Sequence, residues 1–483
     1  MGVLGILIPL ALLIYLAFRG VTLIFLAPVM AVLAAALSGG LPVLASYTQI
    51  FMEGLGGFVV AFFPLFLLGA IFGRLMDDSG AAAAISNAIT ERLGRDRAVL
   101  SVVLCCAVLT YGGVSLFVVA FAVFPVAAAL FRDAAIPKRI IPAALALGAF
   151  TFTMSALPGT PAIQNAIPMP FFGTTAFAAP GLGIIAGTIM LVLGVAWLER
   201  RAAAARSAGE GYGAHEDSVP PPGVRTLEGA RRDGLDLRDI KQERRHDRDL
   251  PPLSLAALPV VVVVAVNLAF LQLVAPRLET GYLATPLFGA TTIEAVRGLW
   301  SIILALCTAI LVLIATNLPR LESLGDSLNA GANAAVIPIA NTASLVGFGA
   351  VIAATPAFAT LGEWVLGLGQ SNPLLSLAVA VNLLSAVTGS ASGGMTIALD
   401  TLGPTYVELA RQQGISFEAM HRVSSISSGA LDALPHNGAV ITVLGICKLG
   451  HREAYGDIFV VAVVIPMLAL STILLLATVF GAF

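Results

Sequence analysis

Apolar positions run along this chain in unbroken blocks instead of narrow stripes. Seven stretches, 2–17, 21–38, 54–73, 180–198, 253–275, 298–317 and 456–481, are nearly free of charge. Each spans roughly the 17–25 residues with which a helix crosses a hydrocarbon core. Alternation over segments of about 10 residues, the mark of a transmembrane β-barrel, is absent from the sequence. The pattern predicts an all-α polytopic membrane protein.

Polar interruptions inside the remaining apolar stretches carry the next layer. Residues 98–131 would reach ~51 Å as one straight helix, against a hydrocarbon core of ~30 Å. Folded at "TYGG" (Thr110 to Gly113), they become a re-entrant hairpin, whose tip must lie in protein or a wet cavity because lipid cannot satisfy its backbone. The span that follows is broken by "SALPGTP" (155–161). The second half repeats this order, with a hairpin over 373–410, "TGSASGG" (Thr388 to Gly394) at its tip, and a span broken at "DALPHNG" (Asp432 to Gly438). Ala156-Leu157-Pro158 and Ala433-Leu434-Pro435 lie 277 positions apart, and Gly112-Gly113 and Gly393-Gly394 lie 281 apart. The agreement predicts an internal duplication.

Charge orients this plan. Hydrophobic residues make up 58% of the 483 and charged ones only 11%, which excludes a soluble domain. Eleven of the 26 Lys and Arg residues fall in 199–250, which reads as a charged cytoplasmic linker between an N-terminal membrane repeat (1–198) and a C-terminal one (251–483). Basic loops around Arg74 to Arg97 and Arg132 to Arg139 also look cytoplasmic, whereas the loops beside the second hairpin are poor in basic residues. Each half then makes five crossings plus one re-entrant element. An odd number inverts the second copy, so the plan is two inverted-topology repeats with both chain ends outside. Met1 opens directly into an apolar run without a basic leader region, so that run reads as a span and not a removable signal.

Candidate chemistry gathers at the breaks. Half-helix ends near the midplane offer free N–H groups and positive dipole ends to an anion. Proline removes a donor there, and glycine lets backbone approach a ligand. The lining is neutral: Thr110, Tyr111, Gly112, Gly113, Ser155, Pro158, Gly159, Thr160, Gln164 and Asn165 in the first half, with Ser390, Ser392, Gly393, Gly394, Pro435 and Asn437 in the second. Such a lining suits a small hydroxylated carboxylate, a small organic anion held by helix ends and hydroxyls without an arginine clamp. Asp432, His436 and Asp400 are the titratable candidates for coupling to a proton, because an ionisable group at membrane depth is costly to bury unpaired. Glu53, Glu363 and Asp457 read as interfacial. The four cysteines lie in apolar runs without metal spacing, so neither a metal nor another cofactor is expected, and the linker charge needs no nucleic-acid partner.

Residues 110–168, "TYGGVSLFVVAFAVFPVAAALFRDAAIPKRIIPAALALGAFTFTMSALPGTPAIQNAIP", together with "SSGALDALPHNGAVITVLGICKLGH" (427–451), resemble the gluconate permease (GntP-type) family of bacterial proton symporters, notably its members for short hydroxy acids such as 3-hydroxybutyrate. The resemblance implies a bacterial cell-membrane symporter, elevator-like motion of the hairpins and broken helices against a scaffold, and a homodimer. Carbonyls and hydroxyls at unwound helices hold Na⁺ as readily as they line a proton path, so both coupling ions stay open. A passive channel would need a continuous polar path, and an enzyme would need a nucleophile or metal cluster that the sequence does not offer.

Overall fold

A computed structural model describes residues 2–19, 21–114, 116–213, 215, 250–356, 358, 367, 372–435 and 437–483. All regular structure among them is helical. The first half opens with α1 (Gly2–Phe18), α2 (Leu23–Ser38) and the long α3 (Val43–Asp78), followed by α4 (Ala81–Leu93). A hairpin of α5 (Ala98–Tyr111) and α6 (Leu116–Asp133) comes next. The broken span is α7 (Ile141–Phe150), the single turn α8 (Phe152–Ser155), and the short α9 (Ile163–Ala166) and α10 (Pro168–Phe172). The half closes with α11 (Pro180–Ser207).

The second half follows the same order. Its spans are α12 (Leu253–Arg277), α13 (Ile293–Arg320) and α14 (Leu324–Ala353). The hairpin is α15 (Pro373–Thr388) and α16 (Ala391–Gln413), the broken span is α17 (Phe417–Ala430) and α18 (Gly438–Cys447), and α19 (His451–Phe480) ends the chain. Helices α3, α11, α12, α13, α14 and α19 are each long and apolar enough to cross a membrane.

Contacts fix the directions. The amide of Gly181 at the start of α11 donates to the carbonyl of Phe483, past the end of α19 (2.8 Å). At the opposite end, Trp197 and Arg201 of α11 reach Asp457 in the second turn of α19. The last spans of the two halves therefore run antiparallel. The broken spans do as well: the first starts beside Asp457 at Arg139, while the second starts beside the end of the first, where the Phe172 and Phe417 rings stack 6.4 Å apart. An inverted duplication requires this arrangement.

The halves also interlock crosswise. Helix α6 of the first hairpin packs on α18, and α16 of the second hairpin packs on α9 and α10. Around this unit, α3 and α14 pack along each other, with α2 and α13 alongside.

Two sequence expectations shift here. Helix α11 continues to Ser207, beyond the expected linker boundary at 199. Its extension is rich in alanine, a strong helix former, and Arg201 anchors it to Asp457 at 2.8 Å. Just past the helix, Glu210 pairs with Arg139 at 2.7 Å. Residues 216–249 of the linker lie outside the described residues. Asp457, expected at the interface, is instead a buried hub, 4% exposed, that meets Arg139, Arg201 and the Trp197 indole.

Candidate functional site

Each hairpin tip is bonded to the break of its own half. In the first, the Tyr111 hydroxyl donates to the carbonyl of Pro158 (2.8 Å). In the second, the Asn437 amide donates to the carbonyl of Gly389 (2.9 Å). Both tips turn on a glycine in the left-handed region, Gly113 at φ 94° and Gly389 at φ 62°, where a side chain is disfavoured. These two glycines lie 276 positions apart, one fewer than the paired prolines Pro158 and Pro435. Gly393 and Gly394, the glycines matched to the first tip by sequence, sit instead in the first turn of α16. There Gly394 lets α15 approach so closely that a Cβ would lie 2.2 Å from the Ser385 nitrogen.

The expected lining residues fall into two clusters. Tyr111 meets Pro158 and Gly159, Gly113 faces Pro161 together with Phe72 of α3 and Leu306 of α13, and Gly112 faces Val260 of α12; Thr110 is buried in the last turn of α5 and Thr160 within the break. Ser390, Ser392, Gly393 and Gly394 form the other group with Asp432 and Asn437, where the Asp432 carboxyl accepts from the Ala391 backbone. Ser155 joins the clusters: its carbonyl accepts from Ser425 (2.8 Å), and it packs on Gly429, within about one turn of the second break. Gln164 is buried on α9, and Pro435 is exposed with its carbonyl bonded to the His451 ring (2.9 Å). Asp400 is exposed on α16 and apart from both clusters, and His436 lies outside the described residues.

Asn165 is tied into the protein on both ends of its amide. It donates to the carbonyls of Thr160 and Ala176, and its oxygen faces His421 Nε2 and Arg422. Arg422 is the arginine that sequence reading did not find at the breaks. Fully buried on α17, it directs its N–H groups to the carbonyls of Ala156, Ala176 and Ala178 and to Asn165 (2.7–3.3 Å). It thereby closes the C-terminal end of α8, where free carbonyls and the negative dipole end favour a cation. The signal was present in "EAMHRVSSISSGALDALP", an arginine inside the helix that runs into a break.

In the second cluster two helix starts come together. Ser390 caps α16 by accepting from the Gly393 amide (3.1 Å), and Asn437 caps α18 by accepting from the Val440 amide (3.0 Å). Both cap side chains are neutral, and the Asp432 carboxyl accepts from the Ala391 backbone beside them, at the first residue of α16. Several polar atoms nearby are buried without a hydrogen-bond partner: Asn382 Oδ1 and Ser385 Oγ on α15, Ser427 Oγ on α17, and both side-chain atoms of Asn341 on α14. Thr110 Oγ1 is the corresponding atom of the first cluster. Buried polar groups are normally bonded, and the same lack of partner recurs at Asn267 of α12 and Asn317 Oδ1 of α13.

Paired helical hairpins and interrupted helices inside a multi-pass helical protein fit a membrane transporter. The chain belongs to the GntP family of permeases, whose family model matches residues 1–441. It is 42% identical over 466 residues to the uncharacterized transporter YxjC of Bacillus subtilis (strain 168), covering 95% of each chain. An uncharacterized transporter of Haemophilus influenzae is 34% identical over 98 residues, 20% of this chain and 23% of that one. Among solved structures, the Alcanivorax borkumensis YdaH transporter, described as having an unusual topology, matches with a TM-score of 0.56 over 98% of both chains. At 16% identity that likeness shows the fold alone. The family and its relatives are permeases and transporters, not enzymes, and this is a multi-pass protein of the bacterial inner membrane.

Proposed function

We propose that this permease carries a small hydroxylated monocarboxylate, of gluconate or 3-hydroxybutyrate type, in symport with protons by alternating access. The pairing of the α16 and α18 starts at the second hairpin tip, both capped by neutral side chains, carries this reading. Helix N-termini held close together in a protein-lined site favour an anion, and surrounding hydroxyls and amides favour a hydroxylated one. In this reading Ser390, Ser392, Gly393, Gly394, Asn437 and Thr110 contact substrate. Tyr111, Pro158 and Thr160 shape the first cluster, and Asp432, buried at the second, takes the coupling proton. The linker lies in the cytoplasm, the halves are inverted repeats, and the protein works as a dimer.

A second reading, sodium coupling, draws support from the unpartnered oxygens of Asn382, Ser385 and Ser427 around the second cluster, which suit a hard cation. One experiment separates the two: uptake of labelled 3-hydroxybutyrate and gluconate into proteoliposomes under an imposed proton gradient, with and without sodium. Proton-driven uptake without sodium, lost in Asp432→Asn while counterflow exchange persists, is the expected result. Uptake that needs sodium establishes the second reading, and no uptake of either acid overturns the substrate class.

A further inference from the structure

Helix α14 carries a residue that the fold alone does not account for. Asn341 is 6% exposed, and neither its Nδ2 nor its Oδ1 has a hydrogen-bond partner. A buried amide with both ends unbonded destabilises the fold that holds it, so its retention calls for a partner.

The register of α14 against the second hairpin shows where this amide lies. A Cβ on Gly393 would lie 3.2 Å from Leu345, and one on Gly349 would lie 2.3 Å from Ile397. The partners advance by four residues on both helices, so α14 and α16 run parallel along this contact. One turn back, Asn341 falls at the level of Gly389 and Ser390, the hairpin tip. The capped starts of α16 and α18 meet there through the Asn437–Gly389 bond. The unpartnered atoms of Asn382 and Ser385 belong to the last turns of α15 below the same tip.

We infer that Asn341 reads the hydroxyl group of the substrate at the second hairpin tip, and so sets the preference for hydroxy acids over plain carboxylates. The inference rests on the carboxylate reading above. Helix starts supply N–H donors, which hold a carboxylate but cannot accept a hydroxyl proton. A side-chain amide does both, with Oδ1 accepting from the hydroxyl and Nδ2 donating to an oxygen of the same molecule. A site built to bond a hydroxyl rejects the analogue that lacks it, because its own polar groups are then left unpaired.

The test compares 3-hydroxybutyrate with butyrate as competitors of labelled hydroxy-acid uptake in proteoliposomes, for the wild type and for Asn341→Ala and Asn341→Ser, alongside thermal unfolding of each purified protein. Wild type is expected to prefer the hydroxy acid by on the order of tenfold or more. Asn341→Ala should bring the two acids to within about twofold while its unfolding temperature holds or rises, since an unpartnered amide has been removed. Asn341→Ser, which keeps a hydroxyl, should recover part of the preference. If a variant does not transport, the shifts in unfolding temperature given by the two acids take the place of competition. A preference unchanged in Asn341→Ala overturns the inference, as does a fall in stability with selectivity intact. A wild type that takes up neither 3-hydroxybutyrate nor gluconate overturns the carboxylate reading itself, a result visible before any variant is made.

Discussion

Arg422 shows how much a single side chain settles at the breaks. Its guanidinium is fully buried and forms no ion pair among the described residues, yet all of its N–H groups meet oxygen. Removing it would strand the carbonyls of Ala156 and Ala178 in a dry environment, each at about 1–3 kcal/mol, while the Ala176 carbonyl keeps the Gly159 and Asn165 donors. Arg422→Met is therefore expected to lower stability by at least about 2 kcal/mol, read as a large fall in unfolding temperature in detergent. Arg422→Lys should recover only part, because one ammonium cannot reproduce the planar fork. At this scale the sequence was only partly legible. Thr110, Ser390 and Asn437 stand out because they flank glycine or proline, whereas Arg422, His421 and Asn341 sit within continuous helices. Their importance comes from partners, or the lack of them, hundreds of residues away.

Among the elements, the hairpins and broken spans were legible because proline and glycine interrupt apolar runs too long or too irregular for one straight helix. Register was less so. The Gly393-Gly394 pair reads as a turn, but Gly394 lets α15 pack closely and Gly393 faces Leu345 of α14, and the turn belongs to Gly389. The far end of α11 was hidden for another reason: composition turns polar at 199, but helix and ion pairs persist. Beyond that helix, the Arg139 guanidinium holds the Glu210 carboxyl below its usual 4.5. A lowered carboxyl pKa stabilises the folded state at pH values above the usual one, and that contribution is lost as pH falls through the lowered value. The difference in unfolding temperature between wild type and Glu210→Gln should thus be constant above pH 4.5 and shrink towards zero on further acidification. A difference that grows with acid would assign the wrong partner to Glu210.

For the whole molecule, loop charge and an odd crossing count anticipate two halves of opposite direction. The antiparallel pairing of α11 with α19, latched at Gly181–Phe483 and at Arg201–Asp457, has the geometry that this count demands. Sidedness follows from where the basic residues gather. A cysteine placed between residues 216 and 249, in a variant without its native cysteines, should react with an impermeant maleimide only in inside-out vesicles. Labelling of intact cells would reverse the orientation. What the sequence could not convey was that the breaks form two clusters. Hydropathy reports depth only coarsely, and the grouping depends on which tip bonds to which break.

The Arg422 clamp also has a consequence in time. It reaches back 266 residues to Ala156. At about 5–20 residues per second, the ribosome delivers that arginine roughly 13 to 53 s after the carbonyl it will hold. Throughout that interval the first broken span must wait in the membrane with its end uncapped, held by the translocon, by water or by a non-native turn. The native first break is thus a late product of synthesis, and a first half made alone has no route to it until a second half arrives.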